Sequence, residues 1–71
     1  MGLKNLFESK EIKELRANSK SNLGDPAAHF NLGAAYEKAG RTEDAIREFE
    51  ETLKGNPNSA EAHYNLAILY A

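Results

Sequence analysis

Apolar residues in this chain recur at helical spacing, and four stretches carry that rhythm. The first, residues 3–20, gathers Leu3, Leu6 and Phe7 in one cluster and continues through Ile12 and Leu15 along one stripe. The run from Asn18 to Gly24 favours turn chemistry, so this helix is expected to end between Ala17 and Lys20. Asp25-Pro26 starts a second helix. Asp is a favoured N-cap, and proline at the first helical position lacks only an amide that would have no partner. This helix is expected to run to about Ala39, with Gly40 able to adopt the left-handed conformation that closes a helix. Ala28, Leu32, Ala35, Tyr36 and Ala39 lie on one side of it, Phe30 and Ala34 on another. So many small residues imply close approach by a neighbouring backbone.

The third helix is expected from Thr42, a favourable N-cap, with Glu43 and Asp44 placed to complement its dipole. Ala45, Ile46, Phe49 and Leu53 form its buried stripe. Glu43–Arg47 and Glu50–Lys54 are candidate i,i+4 pairs on its outer face, as Lys4–Glu8 and Lys10–Glu14 are on the first helix. Gly55 and Pro57 close it, and Ser59 can cap a fourth helix over residues 60–71, apolar at Leu66, Ile68, Leu69 and Tyr70. No segment alternates with period two. The expectation is an all-α chain of four helices.

The chain also repeats itself. Residues 60–71 (AEAHYNLAILYA) restate residues 26–37 (PAAHFNLGAAYE) at an offset of 34. Ala28, His29, Asn31, Leu32 and Tyr36 return as Ala62, His63, Asn65, Leu66 and Tyr70. A 34-residue helix–turn–helix period with the pattern W-x2-L-G-x2-Y, then A-x3-F, then P marks the tetratricopeptide repeat. This sequence resembles that family: Leu32, Gly33, Tyr36, Ala45, Phe49 and Pro57 stand at matching spacings. It departs in having His29 for the Trp, Ala67 for the second Gly, and Thr52 where the family favours a small Ala. The resemblance implies a right-handed α-α superhelix. Residues 25–59 would be one complete unit and 60–71 the first helix of a second, truncated one. Gly33 and Ala45 would sit where the two helices cross. Laid back by one period, Ile12 falls on Ile46 and Leu15 on Phe49, but Glu11 falls on Ala45 and no proline precedes Asp25. Residues 1–24 are therefore expected to be an N-terminal amphipathic capping helix and turn.

Composition narrows function mainly by exclusion. A chain of 71 residues is at most one domain, and without cysteine it has neither disulfides nor a thiolate metal site. Its net charge of −2 gives no general pull on nucleic acid or membrane. The basic residues Lys10, Lys13, Arg16 and Lys20 are interleaved with Glu8, Glu11 and Glu14. There is no apolar run of membrane-spanning length, and Lys4, Glu8, Lys10 and Glu11 interrupt any signal-peptide core. The default compartment is the cytoplasm. No nucleophile–base pair, phosphate loop or carboxylate dyad is present, so no enzyme and no cofactor are expected. Glu43, Asp44, Glu48, Glu50 and Glu51 read as a solvated outer face.

His29 and His63 invite a metal reading, but equivalent positions in stacked helices lie about 10 Å apart, too far to share an ion. Packing in the aromatic's place is the simpler reading. Mild pH sensitivity is a third, because a part-buried imidazole pays desolvation when protonated. By resemblance, the first helix of each unit lines a peptide groove. That makes Phe30, Asn31, Ala34, Glu37 and Lys38, then Tyr64, Asn65 and Ile68, the peptide-binding candidates. Asn31 and Asn65 could bond a ligand backbone or satisfy helix-end and inter-helix polar groups. Phe30 and Ala34 stand where a carboxylate clamp needs a basic residue and Asn, so an apolar groove is expected instead.

Solenoids generally need about three repeats and a polar cap. Here the second copy is half written, so the expectation is a fragment of a longer array, or self-association through Leu53, Leu66, Leu69 and Tyr70. Three function classes follow: a non-catalytic protein-interaction module, a self-assembling building block that forms a homo-oligomer, or a regulatory part of an enzyme, which would require its chemistry to lie in a continuation of the chain.

Overall fold

Three helices of this protein begin where a side chain accepts from an unpaired first-turn amide. The computed structural model describes residues 9–71. Among those residues there are four helices: α1 (Lys10–Ser21), α2 (Pro26–Lys38), α3 (Thr42–Gly55) and α4 (Ala60–Tyr70). Among the described residues there is no strand. The expected apolar cluster of Leu3, Leu6 and Phe7, and the Lys4–Glu8 pair, lie outside the described residues. Ser9 Oγ accepts from the Ile12 amide at 3.0 Å, Asp25 Oδ1 from Ala27 at 3.0 Å, and Ser59 Oγ from Ala62 at 3.2 Å.

The third helix departs from expectation. Thr42 is its first helical residue and not its cap; Arg41 holds the cap position, with no side-chain bond to a free amide. The cause lies in how α2 ends. Gly40 takes φ 78°, its amide donates to the Glu37 carbonyl at 3.0 Å, and the Arg41 amide donates to the Tyr36 carbonyl at 2.9 Å. That paired closure commits Arg41 to the junction. Its guanidinium then lies over the Tyr36 ring, 4.6 Å from the centroid, and pairs with Asp44 at 2.8 Å.

α2 and α3 form the central antiparallel hairpin, with α1 packed on α2 and α4 packed on α3. Phe49 and Ala45 are fully enclosed at 0% exposure, and Leu32 and Ile12 nearly so at 1% and 2%. A Cβ built on Gly33 would stand 2.8 Å from Phe49 Cε1, so glycine is what lets the two helices approach here. Thr52 joins the buried stripe by donating its hydroxyl to the Glu48 carbonyl at 3.0 Å. Ala39, expected on the apolar side of α2, is exposed because the helix has already closed.

The expected i,i+4 ion pairs do not form as read. Arg47 pairs with Asp44, and Lys54 pairs with Glu51 at 2.8 Å, both at i,i+3. Glu50 is instead taken by the Tyr70 hydroxyl at 2.5 Å. Lys10 and Glu14 make no ion pair among the described residues.

The period of 34 extends further back than the sequence pattern shows. Arg16 donates to the Tyr36 hydroxyl at 3.3 Å, and the pair one period on is Glu50 with Tyr70. Asp25 donates its amide to Asn22 O at 2.9 Å, and Ser59 does the same to Asn56 O at 3.1 Å. α1 thus stands to α2 as α3 stands to α4. Glu11, at the place of the enclosed Ala45, faces outward and is exposed.

Candidate functional site

α2 and α4 both flank α3 and leave a trough between them. Two clefts occupy it, of about 320 Å³ and about 410 Å³, meeting at Phe30 and Glu61, which line both. Phe30 is their apolar floor. It is half-buried, with its ring centroid 5.4 Å from that of Phe49 and inclined at 52°. Asn31 with Asp25 lines the first cleft, Tyr64 and Asn65 the second. Tyr64 is the open wall at 67% exposure.

Four of the eight expected groove residues, Phe30, Asn31, Tyr64 and Asn65, therefore come together around these clefts. Ala34 and Glu37 are half-buried, Lys38 is exposed and Ile68 is 49% exposed, and none of these lines either cleft. Neither Asn31 nor Asn65 forms a side-chain hydrogen bond among the described residues. Among those residues, then, neither side chain satisfies a helix end. Asp25 and Glu61, absent from the sequence-based set, are the acids of the trough, and Glu61 lies in the first turn of α4.

Of the residues expected at a self-association face, Leu66 is 7% exposed and belongs to the core. It packs inward because helical spacing puts it on the side of α4 that meets α3. Leu53 and Leu69 are partly buried against the same core. Tyr70 is 62% exposed, and the Glu50 hydrogen bond, aided by burial and by that charge, raises its hydroxyl above the ordinary tyrosine value.

The two histidines share one bond and differ in everything else. Each donates Nε2–H to the carbonyl six residues earlier at 2.8 Å, His29 to Leu23 and His63 to Pro57. Each so clasps the incoming turn to its helix. His63 is exposed, whereas His29 is 7% exposed and meets Glu48 Oε1 through Nδ1 at 2.8 Å. Burial is the largest influence on His29 and pulls its pKa down. The Glu48 hydrogen bond, the Leu23 carbonyl and the charges of Glu48 and Glu51 together outweigh it and raise the pKa above the ordinary value. The expected sign of its pH sensitivity is thereby corrected, because acceptors surround the ring. Glu48, expected on a solvated face, is thus held by a ring on another helix. Its partner lies 19 residues away, and no local spacing announces that pairing.

No group of three or more His, Asp or Glu among the described residues could hold a metal ion. No helix among them is long and apolar enough to cross a membrane.

A family model described as tetratricopeptide repeat matches residues 26–69. The TPR repeat-containing thioredoxin TTL4 of Arabidopsis thaliana is 41% identical over 46 residues, which is 65% of this chain and 7% of that protein. The chain thus spans a small part of the curated relative that it matches. No solved structure matches it.

Proposed function

Since this chain belongs to the tetratricopeptide repeat family, whose repeats generally mediate protein–protein interaction, we propose that it is a non-catalytic module binding a peptide or helix segment in the α2–α4 trough. The observation that carries this reading is the convergence of Phe30 and Tyr64 with two amides, Asn31 and Asn65, that have no side-chain partner among the described residues, around adjoining clefts. Aromatic walls supply apolar contact, and the amides can bond a peptide backbone from either side. Asp25 and Glu61 line the trough with no Lys or Arg among the described residues that line it, which favours a segment carrying Lys or Arg next to its apolar anchor.

Selection of a random peptide display library on the chain tests the proposal. Enriched peptides are expected to share an apolar anchor flanked by a basic residue. Tyr64→Ala should weaken them about tenfold, a loss of about 1.4 kcal/mol, without harming the fold, since Tyr64 is 67% exposed. Enrichment of acidic peptides, or binding indifferent to Tyr64, would overturn it.

A second reading is self-assembly. Tyr64, Ile68 and Tyr70 expose 67%, 49% and 62% of their surface within seven residues of α4, a density that favours burial against another copy. Sedimentation at tens of micromolar checks it: association that Ile68→Lys abolishes supports it, and a folded monomer rules it out.

A further inference from the structure

His29 lies where three elements meet, and each offers it a hydrogen-bonding group. The α1–α2 turn presents the Leu23 carbonyl to Nε2 at 2.8 Å, α3 presents Glu48 Oε1 to Nδ1 at 2.8 Å, and α1 presents the Ser19 hydroxyl to Nδ1 at 3.2 Å. A carbonyl and a carboxylate only accept, so both 2.8 Å bonds coexist only when both ring nitrogens carry protons. A neutral imidazole has a single N–H and must release one of them. Ser19 decides which. Its hydroxyl can donate to a bare Nδ1, whereas a bare Nε2 would face only the Leu23 carbonyl.

We propose that His29 is a proton-dependent partner switch. Charged, it ties α3 to the α1–α2 turn; neutral, it keeps the turn, accepts from Ser19 and releases Glu48. The charged groups facing the ring from α3 are Glu48 and Glu51. The group facing it from α1 is the uncharged Ser19 hydroxyl, and Asp25 at the head of its own helix is committed to the Ala27 amide. Glu48 retains 20% side-chain exposure, so solvent can receive the carboxylate once the ring lets go. The switch changes hydrogen-bond partners without requiring a helix to move.

Nitrogen-15 NMR of the histidine rings across a pH titration reads both protonation and tautomer. In the full chain, His29 should be doubly protonated at low pH, titrate above the ordinary histidine value, and settle in the Nε2–H tautomer. The Glu48 carboxyl resonance should move at the same midpoint. Glu48→Gln should shift that midpoint down, because the amide cannot reward the ring's charge as a carboxylate does. Ser19→Ala should remove the single-tautomer preference of the neutral ring. His63 has the same Nε2 bond to Pro57 and no carboxylate partner among the described residues, so its signals should ignore both substitutions. A neutral ring protonated on Nδ1 overturns the proposal, as does a midpoint that Glu48→Gln leaves in place. The tautomer measurement needs no variant, so it decides the matter even if a substitution unfolds the chain.

Discussion

The Cβ that Gly33 lacks would stand 2.8 Å from Cε1 of Phe49, closer than side-chain carbons approach one another. Phe49 is 0% exposed, so its ring has no free space to swing into. Gly33→Ala gains about 1 kcal/mol in helix propensity. It forces an overpacked crossing that costs about 1–3 kcal/mol. Chemical denaturation should show a net loss near 1 kcal/mol. A gain in stability would mean that the α2–α3 hairpin has slack at its centre.

Gly40 illustrates the other use of glycine. Open space surrounds it, but its φ of 78° is left-handed, which disfavours any Cβ. Gly40→Ala should cost about 1 kcal/mol. Gly24→Ala, at a site with neither crowding nor positive φ, should be neutral or slightly stabilising. Equal thermal shifts for the two substitutions would disprove the distinction.

Ile12 is the anchor of α1, at 2% exposure on a helix that is otherwise largely wet. Ile12→Ala should destabilise by about 2–4 kcal/mol, as large-to-small core changes do. Because α1 packs on α2 alone among its major contacts, the loss should be local. Hydrogen exchange should accelerate in residues 10–21 first and leave the α2–α3 amides better protected. Uniform acceleration would show that α1 and the hairpin unfold as one unit.

Proton linkage at His29 has a defined sign. Its pKa is raised on folding, so its contribution is fully present below the unfolded value of about 6.5 and lost as pH rises through the higher folded value. Urea midpoints should therefore fall as pH rises from about 6.5 through the folded value, and the fall should shrink in Glu48→Gln. A midpoint that climbs over that interval contradicts the charged-ring assignment.

The helices and most of their caps were legible in sequence because they depend on neighbours in the chain. Asp25-Pro26 and Ser59 announce α2 and α4, and the small residues Gly33 and Ala45 announce the crossing at Phe49. What depends on distant partners was not legible. Thr42 looked like a cap, but the closure of α2 through Gly40 had already claimed Arg41. His29 and His63 are identical under the period, yet only His29 has α1 and Glu48 around it. Glu50 looked like half of a helical ion pair until Tyr70, 20 residues on, took it. Half of the expected groove set lines the clefts. The others lie on turns of α2 and α4 away from them, a difference in depth that period alone does not encode.

The joint between Arg16 and Tyr36, repeated one period later between Glu50 and Tyr70, has a consequence for how this architecture can vary. A phenol hydroxyl both gives and takes a hydrogen bond, so it greets a guanidinium as an acceptor and a carboxylate as a donor. The same seam is closed by a cation at one place and an anion at the other. Tyrosine thus acts as a universal adaptor: it holds the geometry constant while the residue opposite is free to reverse its charge, and surface electrostatics can be rewritten joint by joint without re-engineering the stack.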